Sequence, residues 1–128
     1  MIYLDSSVLL ADLFAEARFP PEALWDGDLV SSRLLSYEVW NRVNARGLAD
    51  SHGERARALL SRVSLASLSD AALARALEPW PAPLRTLDAL HLATIEYLRG
   101  AGEAIELASY DGRLLATARS LGIDIAAL

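Results

Sequence analysis

At 128 residues the chain has the length of one domain, enough to bury roughly two-thirds of its unfolded surface. It has no cysteine, which excludes disulfides and thiolate metal sites, and no apolar run approaches the roughly 18 residues of a membrane span. A net charge of −5 argues against a broad nucleic-acid-binding surface but leaves room for a local one.

Every basic side chain is Arg, in a chain rich in Ala and Leu. That composition reads first as codon bias, although Arg also suits bidentate contacts to phosphate. The N-terminus opens on a strand-like run without a basic leader, so no signal peptide is expected and the chain is read as cytoplasmic.

In chain order, Ile2-Tyr3-Leu4 is a short strand ending at Asp5. Ser6 and Ser7 lead into a helix through Val8-Leu9-Leu10-Ala11. Pro20-Pro21 breaks that segment, and Pro21-Glu22 starts another helix carrying Leu24 and Trp25. After the Asp26-Gly27-Asp28 turn, Leu29-Val30-Ser31 is a second strand. Residues 33–48 read as a helix ending near Gly47, and 54–62 as another after a break at Gly53. Val63 to Leu68 alternates as a third strand, and Asp70 to Leu77 is helical. Prolines 79, 81 and 83 stiffen a loop around Trp80. Thr86 to Arg99 is a strong helix closed by Gly100 and Gly102. Residues 105–108 form a strand, 112–121 a helix and 123–125 a terminal strand.

Strands alternating with helices predict an α/β domain with a parallel sheet covered on both faces, spanning 1–128 without a linker or repeat. Sheets of this kind bind ligands beyond the carboxyl ends of their strands. Asp5 and Asp111 each follow a predicted strand and so belong to one edge.

Four carboxylates in four apolar segments are the chemical signal: Asp5, Glu38, Asp88 and Asp111. Each has an ordinary alternative. Asp5 and Asp111 suit helix caps, Glu38 can pair with Arg42 one turn on, and Asp88 can pair with Arg85. Asp88 is the most pointed, because Leu84 to Leu98 is apolar on nearly every face. Carboxylates in apolar surroundings need compensating charge or hydrogen bonds, and no lysine supplies it. Gathered together, they would repel one another unless a hard divalent cation, Mg²⁺ or Mn²⁺, relieved the repulsion.

The ordered set LDSSVLL, SSRLLSYEVWNR, LRTLDALHLATIEYL and LASYDGRLLATARSLGI resembles the PIN-domain family, and most of all its VapC-like toxins from VapBC toxin–antitoxin modules. The likeness runs from Ile2 to about Ile125. LDALHLA and the YDxxLxxxAxxLGI pattern are its more specific parts. The resemblance implies a three-layer sandwich with a parallel central sheet of four or five strands. It implies a Mg²⁺- or Mn²⁺-dependent endoribonuclease acting on tRNA or ribosomal RNA, a homodimer, and inhibition by a cognate VapB-like antitoxin. Asp5, Glu38, Asp88 and Asp111 match the family's acidic quartet, as catalytic and metal-binding residues. Ser6 and Ser109 match small hydroxyl positions that support the carboxylates.

The expected chemistry is hydrolysis by a metal-activated water, with in-line attack leaving a 5′-phosphate and a 3′-hydroxyl. Asp5 and Asp88 are the expected direct ligands. The alternative is a non-catalytic PIN-like module that binds RNA or protein. His91, one turn after Asp88, reads as a core or surface residue of its helix before it reads as lining the site. Tyr37, Trp25, Trp40 and Trp80 read as core or interface aromatics before they read as base-stacking platforms. Arg85 and Arg113 flank two of the acids, either to pair with them or to hold RNA phosphates.

Overall fold

The computed structural model describes residues 1–128. Its first strand, β1 (Ile2–Leu4), is followed by helix α1 (Ser6–Leu13) and a 3-10 turn at Glu22–Asp26. Next come β2 (Leu29–Ser32), α2 (Leu34–Ala45), α3 (Ala49–Leu60), β3 (Val63–Ala66) and α4 (Asp70–Ala76). The chain closes with α5 (Thr86–Gly100), β4 (Glu106–Ala108), α6 (Gly112–Ser120) and β5 (Asp124–Ile125).

All five strands are parallel, in the order β3-β2-β1-β4-β5. The register sets Tyr3 beside Val30 on one side and Leu107 on the other. Successive side chains along a strand point to opposite faces, so the short β1 feeds two cores. Leu4 packs with Val8, Leu9, Leu35, Val39 and Leu59 of the α1–α3 side. Tyr3 packs with Leu92, Ile95, Leu107, Leu114 and Ala118 of the α5–α6 side. The result is the expected three-layer arrangement, helices on both faces of a buried parallel sheet.

From β1 the chain winds outward to β2 and β3, then returns to lay β4 against the other side of β1. The strand order therefore reverses between β1 and β4, and a crevice opens there at the carboxyl edge. Asp5 leaves β1 at this point, its N–H donating to the Ala108 carbonyl at 3.0 Å. The segment 109–111 leaves β4 alongside it.

One expected break is absent. Gly53 lies inside α3 and is buried, where an added Cβ would stand 3.4 Å from Trp40 Cη2. Its conformational freedom is not used there. The small residue lets the Trp40 ring lie close to the α3 backbone, and that contact between α2 and α3 is non-local. The helix expected from Pro21-Glu22 is instead a short 3-10 turn, and α1 closes at Leu13, ahead of Pro20-Pro21. The remaining differences are shifts of one to three residues at element ends, where helices fray and assignments vary.

Candidate active site

Asp5 is the centre of the site. It is 4% exposed and caps α1, accepting from the Ser7 N–H at 3.4 Å. The same oxygen, Oδ2, also accepts from Ser7 Oγ at 2.6 Å and Ser109 Oγ at 2.9 Å. All three donors converge on Oδ2, so the carboxylate is held in one orientation with Oδ1 clear of protein donors. Ser7 Oγ in turn accepts from the Tyr110 N–H at 2.9 Å, and Ser109 Oγ accepts from the Asp111 N–H at 2.9 Å. These serines stitch the end of β1 to the end of β4.

Asp111 caps α6 through a single oxygen. Its Oδ1 accepts from the N–H groups of Arg113 and Leu114 at 3.0 and 3.3 Å. Capping thus leaves the second oxygen without a protein donor.

Asp88 stands in the first turn of α5, half-buried, and takes no hydrogen bond from the protein. Burial holds its pKa above the usual carboxylate range, and the charges of Asp5 and Asp111 push the same way. Arg85 and His91 act in the opposite sense without cancelling that rise. The expected Arg85–Asp88 contact does not close into an ion pair.

Glu38 is arranged differently. Both of its oxygens are occupied: Ser6 Oγ donates to Oε2 at 2.9 Å, and the His91 ring nitrogen Nε2 meets Oε1 in a short contact. Arg42, one helical turn on, is not its partner. His91 is fully buried, and its Nδ1 lies 2.6 Å from the Tyr3 hydroxyl, which accepts from the Ser32 N–H at 3.1 Å. Burial alone would depress the imidazole pKa. The hydrogen bond and charge of Glu38, reinforced by Asp5 and Asp88, outweigh burial and raise it.

Asp5, Asp88 and Asp111 thus face one another electrostatically. Glu38 joins them through His91, which feels Glu38, Asp5 and Asp88 together. No three of these side chains close on a common point as a ready-made chelate. The donor set nevertheless fits a hard cation: Asp88 lacks protein donors, and Asp5 and Asp111 each keep one oxygen free. Mg²⁺ usually keeps several waters and takes only one or two carboxylates directly, so a full protein cage is not required of such a site.

Two participants, Tyr3 and Ser7, escape a reading of the sequence, and His91 reads there as core or surface before it reads as lining the site. His91 is both a core residue and a contact of the site, alternatives that helical periodicity treats as exclusive. The available signal was its spacing of three from Asp88, which puts both on one helix face. Among the aromatics, Trp25 is core and donates to Asp12 Oδ2 at 2.9 Å, whereas Tyr37 is 63% exposed. Arg113 forms no ion pair with Asp111.

The PIN domain model matches residues 2–120. Ribonuclease VapC47 of Mycobacterium tuberculosis (strain CDC 1551 / Oshkosh) is 32% identical to this chain over 128 residues, covering 95% of this chain and 93% of that protein. The chain belongs to the PIN-domain family.

Proposed function

We propose that this PIN-domain chain is an endoribonuclease toxin of a toxin–antitoxin module, cutting RNA by attack of water on the phosphodiester with Mg²⁺ or Mn²⁺ as cofactor. One observation carries the reading: a half-buried Asp88 without a protein donor, set against Asp5 and Asp111 at the sheet's switch point. An uncompensated carboxylate group of this kind suits a cation and, through it, a phosphate. The ribonuclease named among its relatives supports the same class of reaction.

Asp5 Oδ1 and Asp88 would hold the cation directly, with Asp111 and Glu38 reaching it through water. When bound, the cation lowers the pKa of water and neutralises charge on the phosphate oxygens. The chain does the positioning. Ser7 and Ser109 fix the Asp5 carboxylate plane, while Ser6 and His91 fix Glu38. Glu38 is then oriented to hold a water, and to take up a proton, at the edge of the cluster. Departure of the 3′ oxygen leaves a 3′-hydroxyl and a 5′-phosphate. In this reading the chain acts in the cytoplasm on tRNA or ribosomal RNA, as a homodimer restrained by a VapB-like antitoxin. No helix is long and apolar enough to cross a membrane.

The test is cleavage of total cellular RNA by antitoxin-free protein, with Mg²⁺ or EDTA, beside Asp5→Asn. Discrete fragments with 5′-phosphates that require both the metal and Asp5 are expected. Products ending in 2′,3′-cyclic phosphate would refute the water-attack mechanism. Metal binding without any turnover would favour a non-catalytic module.

A further inference from the structure

A cavity of about 300 Å³ adjoins the carboxylate cluster. Its walls include Ser7, Phe14, Glu16, Arg42, Arg46 and Tyr110. Two of these belong to the site's own framework: Ser7 donates to Asp5, and the Tyr110 N–H donates to Ser7. The cavity therefore shares part of its wall with the framework that holds Asp5.

Its basic side chains follow a register. Glu38 and Arg42 of α2 and its C-cap residue Arg46 are spaced four residues apart, so they form one row leading away from Glu38. Neither Arg42 nor Arg46 is tied to a carboxylate. Arg46 lies over the Phe14 ring at 4.2 Å, and Arg18 lies over the Tyr110 ring at 4.6 Å. A guanidinium stacked on a ring keeps its N–H edge free for bidentate contact with phosphate. The one opposing charge on the walls is Glu16, which is exposed.

We propose that this cavity is a subsite for a nucleotide flanking the scissile bond of single-stranded RNA. Arg42 and Arg46 take its phosphate, and the Phe14 and Tyr110 walls enclose its sugar and base. Its volume sits near the low end of ligand pockets, room for one nucleotide rather than a whole folded partner. Basic groups beside aromatic walls are the usual means of holding single strands without reading sequence. The assignment rests on the nuclease reading for its location, but its test reads binding alone.

Binding of a fluorescein-labelled, mixed-sequence single-stranded RNA is measured by anisotropy across a salt series, in the Asp5→Asn background. Melting curves establish that each variant is folded. If Asp5→Asn does not fold, the same series is run on the otherwise unchanged chain in EDTA. Arg42→Gln and Arg46→Gln are each expected to weaken binding roughly five- to tenfold and to reduce the log–log salt slope by about 0.7. Tyr110→Ala should weaken binding with little change in slope. Arg119→Gln, in the last turn of α6, should leave both unchanged. Arg-dependent binding in a chain whose cleavage proves independent of Asp5 would support the subsite while sinking the nuclease mechanism. A chain that binds no single-stranded RNA overturns the subsite, as does an Arg42→Gln/Arg46→Gln double variant with unaltered affinity and slope. So does Arg-dependent capture of a polyglutamate peptide in place of RNA.

Discussion

The imidazole of His91, with no exposed surface, is bonded to the Glu38 carboxylate from the opposite side of the sheet's carboxyl edge, 53 residues away in sequence. Tyr3 holds the other ring nitrogen from inside the core. Core packing and the geometry of the site are therefore linked through one ring. A residue chosen for its volume on the α5 face also decides where a carboxylate points.

Breaking this link should be expensive for the fold. His91→Ala removes one partner of a buried pair and leaves Glu38 and the Tyr3 hydroxyl without it. A loss of about 3–5 kcal/mol is expected, a fall in melting temperature of at least about 6 °C. Glu38→Gln retains the possibility of hydrogen bonds to Ser6 and His91 and removes only the charge. It should melt closer to the unaltered chain yet cleave far less RNA. Calorimetry of both variants checks this, and equal destabilisation would show that the charge, rather than the hydrogen-bonded ring, sustains the contact.

Asp88 should behave in the opposite way. Its ionised form is disfavoured by burial and by Asp5 and Asp111, so its charge works against the folded state. Asp88→Asn is expected to melt at the same temperature as the unaltered chain, or higher, when metal is absent. The same variant should lose RNA cleavage by at least about a hundredfold. A site that trades stability for function has this signature. Melting in EDTA paired with a cleavage assay checks it. A clear loss of stability in EDTA would mean that Asp88 is a structural anchor.

The alternation of strands and helices could be read from the sequence because it is written locally. Apolar blocks such as Ile2-Tyr3-Leu4 and Leu29-Val30 are bounded by cap and turn residues, and each carries its own signal. The location of Asp5 and Asp111 at one edge follows from the same local facts, since both terminate strands. What was not readable depends on distant partners. Gly53 reads as a helix break until Trp40 is seen against it. Glu38 reads as a helical partner of Arg42 until Ser6 and His91 claim both its oxygens. Spacing along a helix lists which pairs can form, and tertiary contacts choose among them.

Metal binding should appear as stability. A ligand that binds only the folded chain stabilises it by about 2.7 kcal/mol at a hundred times its dissociation constant. Mn²⁺ and Mg²⁺ are expected to raise the melting temperature of the unaltered chain by several degrees, and EDTA to reverse the shift. Asp5→Asn and Asp88→Asn should each lose most of it. A metal-induced shift that survives in both variants would place the cation elsewhere.

Ser7 and Ser109 offer the last test, because they act on one oxygen from two sides. Ser109→Ala removes a donor from Asp5 Oδ2 and the acceptor of the Asp111 N–H. Ser7→Ala removes a second donor from the same oxygen and the acceptor of the Tyr110 N–H. Each loss should cost about 1–2 kcal/mol of stability, since one buried polar group is left short of a partner. Cleavage should fall roughly tenfold in either single variant, as the carboxylate gains freedom to rotate. In the double variant only the backbone N–H of Ser7 still holds Oδ2, at the longest of the three distances. The two substitutions share a partner, so their effects should not add. The double variant is expected to lose more activity than the product of the singles, measured under single-turnover conditions. Strict additivity would show that the serines support separate features and that Asp5 is oriented by its helix cap alone.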